Sequence, residues 1–116
     1  MFTLKENTKT QKFSYFLQLT TMNALQLLTK TQISVKLKKL NDWKISNDEI
    51  TKLFQFKNFV DAMGFVNKVA LRSEKFDHHP DIDIRWNKVT ITLSTHSAGG
   101  LTENDFILAK EIESVK

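Results

Sequence analysis

Between Glu74 and Asp105 this chain places all three of its histidines (His78, His79 and His96), its only proline and two of its three glycines. An imidazole gives or takes a proton near neutral pH with little tuning, so histidines gathered in one window first suggest proton-transfer chemistry. As purely structural residues they would be core or loop side chains with satisfied nitrogens, an uncommon fate for three in one window with none elsewhere. As ligands they would form a three-histidine metal site, zinc above all. Adjacent His78 and His79 tend to point in different directions, and Pro80 biases His79 towards extended backbone, which makes a shared metal awkward. Acid/base work is the reading these residue types favour, with no metal.

The surrounding elements must hold these side chains. Ile82, Ile84 and Trp86 alternate against Asp83 and Arg85, and Val89, Ile91 and Leu93 alternate against Thr90, Thr92, Ser94 and His96. That period of two predicts a hairpin through Asn87-Lys88, with His96 closing its second strand on the polar face. Upstream, Asn58 caps a helix over residues 59–75 whose expected core stripe is Phe59, Ala62, Met63, Val66, Val69 and Ala70. Downstream, Gly99-Gly100 permits a tight turn into a helix over 103–115, with Thr102 and Asp105 as a capping pair and Leu101 stapled onto Phe106.

Earlier still, Thr29 and Gln32 predict a capped helix start, with Ile33, Leu37 and Leu40 on one stripe, ending at Asn41-Asp42. Trp43 follows as a core anchor. Residues 43–46 and 50–56 are predicted strands around an Asn47-Asp48 turn; Ile50, Phe54 and Phe56 share a face, while Lys52 breaks the alternation as a strand end or a snorkelling side chain. The order α-β-β-α-β-β-α with short connections predicts an α+β fold, a four-stranded antiparallel sheet with three helices on one face.

A chain of 116 residues, 41% hydrophobic, is one domain's worth of core. It has no cysteine to call for an oxidising compartment, and no apolar run approaches the roughly 18 residues of a membrane span. The net charge of +4 is unevenly spread: residues 1–44 carry eight lysines against Glu6 and Asp42, whereas residues 45–116 carry more acids than bases. Basicity away from the histidine window argues against nucleic acid as the primary ligand. Residues 1–27 form an N-terminal extension, helical, frayed or a targeting segment, ahead of a domain over 28–116. It is poor in acids but lacks the arginines of an organelle presequence, so a cytoplasmic protein is expected, with an organelle as the alternative.

The spacing Glu74, three residues, His78-His79-Pro80, five residues, Trp86, nine residues, His96, eight residues, Asp105 resembles the signature of the pterin-4a-carbinolamine dehydratases. The flanks, 56–70 and Thr95-His96 through Gly99-Gly100-Leu101-Thr102, are similar to that family too, and the resemblance runs from Leu28 to Val115. Asn41-Asp42 departs from the family's frequent Pro-Gly turn, which touches only a loop. The resemblance implies the same four-stranded sheet and three helices. It also implies an activity, the dehydration of 4a-hydroxytetrahydrobiopterin to quinonoid dihydropterin, which recycles the cofactor of aromatic amino acid hydroxylases; the pterin is substrate and no separate cofactor is needed.

By position, His78, His79 and His96 match the family's three active-site histidines. His79 and His96 are expected to do the acid/base work, and His78 to hold the hydroxyl or the ring. Glu74 would fix a tautomer or bond the pterin, or else be a solvated carboxylate at a helix end. Asp77, Ser94 and Thr95 match positions that meet the pterin, and Trp86 would flank the ligand or pack in the core. Asp105 is explained by capping alone and stays off the catalytic set. The family further implies a homodimer or homotetramer and a hydroxylase partner; its alternative role is as the dimerisation partner of a transcription factor, which would use a helical surface and not the histidines.

Overall fold

A computed structural model of the chain describes residues 26–116; the expected extension lies outside them apart from Gln26 and Leu27. The elements follow as α1 (Lys30–Leu37), β1 (Lys44–Ser46), β2 (Glu49–Gln55), α2 (Phe59–Lys75), β3 (Asp81–Arg85), β4 (Lys88–Leu93), a 3-10 turn (His96–Ala98) and α3 (Glu103–Val115). All strand pairs are antiparallel, in the order β1-β2-β4-β3, so the fold is the expected α+β arrangement.

Register explains which side chains enter the core. Ile50 lies opposite Leu93, Lys52 opposite Ile91 and Phe54 opposite Val89. Directly paired residues share a face, so these six project together beneath the helices, and all are buried. The other face carries Thr51 against Thr92 and Leu53 against Thr90, which leaves Leu53 exposed.

Each helix begins where its cap predicts. Thr29 and Gln32 close a capping box on α1, the Asn58 side chain accepts from the Asp61 N–H, and Thr102 with Asp105 closes a second box on α3. The α2 stripe is rotated from expectation. Ala62, Phe65, Val69 and Ser73 are buried, while Phe59 and Ala70 are exposed. Phe65 takes the inner line because it meets two rings at the C-terminal end of β2, Phe54 at 4.7 Å and Phe56 at 4.9 Å between centroids. Burying such a ring stabilises by about 1.5–3 kcal/mol.

Three further expectations are corrected. Helix α1 ends at Leu37, ahead of Asn41-Asp42, and Leu40 is buried from the turn that follows. The β3–β4 hairpin turns at Trp86-Asn87, one residue early, with Trp86 in the left-handed region at φ 53° and 67% exposed. Asn87 holds that turn by exchanging two bonds with Phe56, its side-chain amide donating to the Phe56 carbonyl at 2.8 Å and its own carbonyl accepting from the Phe56 N–H.

Lys52 neither ends the strand nor snorkels. It is buried in mid-strand because its ammonium donates to Glu113 on α3 and to the Asn41 carbonyl, while its charge lies 4.8 Å from the Phe54 ring. Trp43 Nε1–H donates to the same carboxylate at 2.9 Å. Burial on its own would push the Glu113 carboxyl up, but hydrogen bonds from Lys116, Lys52 and Trp43 outweigh it and hold the group below its ordinary value of 4.5. Its stabilising contribution is therefore complete above that value and is lost as pH falls through the lowered folded one. Glu113→Gln strands the Lys52 ammonium and is expected to cost about 3 kcal/mol, the low end for breaking a buried pair; urea unfolding at neutral pH would measure it, and a loss under 1 kcal/mol would contradict the assignment.

Candidate active site

The C-terminus of α2 aims the first histidine. The last turn closes with two backbone bonds, His78 N–H to the Ser73 carbonyl at 3.0 Å and Asp77 N–H to the Glu74 carbonyl at 3.3 Å. Asp77, between them, adopts φ 48°, the left-handed cap conformation usually given to Gly and tolerated by Asp. The chain thereby reverses off the helix, carries His78 inwards and leaves Asp77 and His79 exposed.

His78 Nε2 lies 2.6 Å from Asp105 Oδ1, and Asp105 is fully buried at the N-terminus of α3. A carboxylate only accepts, so Nε2 carries the proton and Nδ1 is the nitrogen left to react. The other carboxylate oxygen accepts from the Thr95 hydroxyl at 2.8 Å and the Thr102 N–H at 2.9 Å. Three donors thus satisfy a charge that would be costly to bury alone. Asp105 caps the helix as its spacing predicts, and it also orients an imidazole, a role that its place in the residue pattern pointed to and capping concealed.

His79 Nε2 pairs with Glu74 Oε2 at 2.9 Å, one turn back on α2, with both side chains in water. Such an exposed pair contributes little to stability, but it fixes the same nitrogen as Asp105 does on His78 and leaves Nδ1 again.

His96 does not close a strand. Strand β4 ends at Leu93, the Thr95 N–H and carbonyl turn back onto Gly100, and His96 stands exposed on the short 3-10 turn, capped by Gly99 at φ 79°. Its ring has no hydrogen-bond partner among the described residues. With Ser94, Gly99, the β1–β2 turn residues Asn47 and Asp48, and Glu49 at the start of β2, it lines a polar cavity of about 320 Å³. Asn47, Asp48 and Glu49 escaped the sequence reading because nothing local ties residue 48 to residue 96. Asp48 comes up against Gly100 there: a Cβ on Gly100 would lie 3.7 Å from that of Asp48, an ordinary contact.

The fold therefore gathers His78, Thr95 and Asp105 into one buried network, His79 with Glu74 beside it, and His96 with Ser94 at the adjoining turn. Thr95 is buried, with its hydroxyl committed to Asp105 and Thr102. Trp86 lies at the other end of the β3–β4 hairpin from Pro80 and Ser94. Among the described residues no three His, Asp or Glu side chains are placed to share a metal ion. Two imidazoles with free Nδ1 atoms and a third exposed one can move protons at a bound ring, one giving while another takes.

Comparison with known proteins identifies the family. Residues 26–115 match the family described as pterin 4 alpha carbinolamine dehydratase. A protein of Acidobacterium capsulatum, provisionally named a pterin-4-alpha-carbinolamine dehydratase, is 52% identical over 88 residues, 76% of this chain and 96% of its own length. One of Nocardia farcinica with the same provisional name is 50% identical over 90 residues, 78% of this chain and 95% of its own. Among solved structures, a transcriptional coactivator/pterin dehydratase from Brucella melitensis superposes with a TM-score of 0.74 at 38% identity, over 76% of this chain and 96% of that one. A family match over most of the described residues, joined to relatives at half identity along nearly their whole length, places this chain in the pterin-4a-carbinolamine dehydratase family.

Proposed function

We propose that the protein dehydrates a 4a-hydroxytetrahydropterin, 4a-hydroxytetrahydrobiopterin in the cofactor cycle of aromatic amino acid hydroxylases, by histidine acid/base catalysis. The observation that carries this is the buried Asp105 carboxylate holding His78 Nε2–H, the arrangement by which a base is kept in one tautomer. In the step, His78 Nδ1 takes the proton of the ring nitrogen beside the hydroxyl-bearing carbon. His96, free of other partners among the described residues, gives a proton to the hydroxyl. The C–O bond breaks, the electron pair of the N–H bond forms C=N, and water leaves with the quinonoid dihydropterin. The protonated His78 and deprotonated His96 then re-equilibrate with solvent.

This gives the base to His78, whose partner is buried, where the sequence led us to expect the acid/base work of His79 and His96 and a holding role for His78. His79 with Glu74 and the Asp77 carboxylate are left to hold the pterin edge, and Ser94 lines the wall beside His96. Purified protein should accelerate formation of the quinonoid product well above the spontaneous rate, and prior treatment with EDTA should leave turnover unchanged. Turnover abolished by EDTA and restored by zinc would replace this mechanism with a metal-dependent one.

A second reading, as a homo-oligomer that also serves as a protein-binding partner, is favoured by one observation: α2 exposes Val60 at 76% and Leu71 at 73%, eleven residues apart and so on one face of the helix. Apolar side chains so exposed on one helix suit a subunit or partner interface. Light scattering at micromolar concentration is expected to show a dimer or tetramer; a monomer would sink this second reading while leaving the first intact.

A further inference from the structure

The donors around Asp105 have an order that distance alone does not show. Thr95 Oγ lies 2.8 Å from Asp105 Oδ2 and 2.7 Å from Thr102 Oγ. Thr95 has one hydroxyl hydrogen, and the carboxylate can only accept it. Towards Thr102 it must then accept, so Thr102 is the donor. The sequence of bonds runs Thr102 O–H to Thr95 O–H to Asp105, which receives His78 Nε2–H on its other oxygen. Thr95, Thr102 and Asp105 are all buried, so no water competes for these hydrogens.

Capping α3 does not require this. The cap uses the Thr102 N–H on Asp105 Oδ2 and the Thr102 side-chain oxygen as acceptor for the Asp105 N–H; the hydroxyl hydrogen aimed back across to residue 95 adds nothing to the helix end. What it does fix is the Thr95 hydroxyl: with its oxygen occupied by Thr102, the Thr95 hydrogen has one direction, towards Asp105. Each bond in such a series polarises the next.

We propose that Thr102 is a positioning residue for the reaction, acting through Thr95 and Asp105 to hold the His78 ring with Nε2 protonated and Nδ1 bare. The proposal rests on the reading of His78 as the base, but its effect on the tautomer can be measured without substrate. Thr102→Val keeps shape and removes the hydroxyl, and with it the side-chain half of the α3 capping box; Thr102→Ser keeps both. The 15N shifts of the His78 imidazole report which nitrogen carries the proton, and kcat and KM are read on the same proteins with the spontaneous reaction subtracted.

Thr102→Val is expected to mix the His78 tautomers and to lower kcat about tenfold, the low end for loss of an outer hydrogen-bonding partner, with KM little changed. Thr102→Ser should restore both. Thr102→Ala gives a second hydroxyl deletion should Val prevent folding. A folded deletion variant with a wild-type nitrogen pattern overturns the proposal, as does a Ser variant as impaired as Val. A changed tautomer with unchanged kcat overturns the catalytic role of this series. Wild-type protein that shows the fixed tautomer but no dehydration would defeat the proposed function and leave the positioning by Thr102 standing.

Discussion

His78→Ala and His96→Ala are each expected to lower kcat by about 10² to 10⁴, the usual size of a general acid or base contribution. The fold should survive both, because neither ring is part of the hydrophobic core and His96 is exposed on a three-residue turn. His79→Ala should act differently: its ring is 58% exposed and pairs only with an exposed Glu74, so the loss is expected mainly in KM. Steady-state kinetics on the three variants, with near-UV circular dichroism as the check on folding, would test this. Equal kcat losses for His79 and His96 with none for His78 would return the base to His79.

Asp105→Asn is expected to be as damaging to turnover as loss of an imidazole, about 10² to 10⁴ in kcat, although only one atom changes its chemistry. Two donors, the Thr95 hydroxyl and the Thr102 N–H, converge on Oδ2, and they would claim the single oxygen of the amide. The amide nitrogen would then face His78 Nε2 and donate to it, which forces the imidazole proton onto Nδ1, the nitrogen that must be bare. Asp105→Ala should in addition destabilise the protein by about 1–3 kcal/mol, because it leaves buried donors unpaired and removes the cap. An Asn variant with near-wild-type kcat would show that the tautomer of His78 is irrelevant to the reaction.

Much of this arrangement was legible from local chemistry. Thr29 with Gln32, Asn58, and Thr102 with Asp105 mark helix starts by side chains that reach three residues along their own chain, and the bounds of α2 and α3 follow from them. Period-two alternation likewise placed β2, β3 and β4. Pairings over long separations were not legible. His78 meets Asp105 across 27 residues, Lys52 meets Glu113 across 61, and Asp48 reaches Gly100 only through the sheet. Lys52 shows the consequence: a charge at a core position looks like a break in the pattern until its partner on α3 is known. His96 failed differently, since Ser94-Thr95-His96 continues the alternation while the Gly99-Gly100 corner ends the strand early by drawing Thr95 into a bridge with Gly100. The helical stripe missed Phe65 because a period of 3.6 admits two neighbouring lines on α2, and only the Phe54 and Phe56 rings decide between them.

The most direct test of histidine acid/base dehydration is the rate at which the purified wild-type protein and the double variant His78→Ala/His96→Ala convert a freshly generated 4a-hydroxytetrahydropterin to quinonoid dihydropterin, followed by absorbance with the spontaneous reaction subtracted. The wild type should be fast. The double variant, folded, should fall to the spontaneous rate or just above it, by less than the product of the two single losses, since groups acting on one transition state are not additive. A wild-type rate no greater than the spontaneous one, or a double variant that retains full activity, would contradict it.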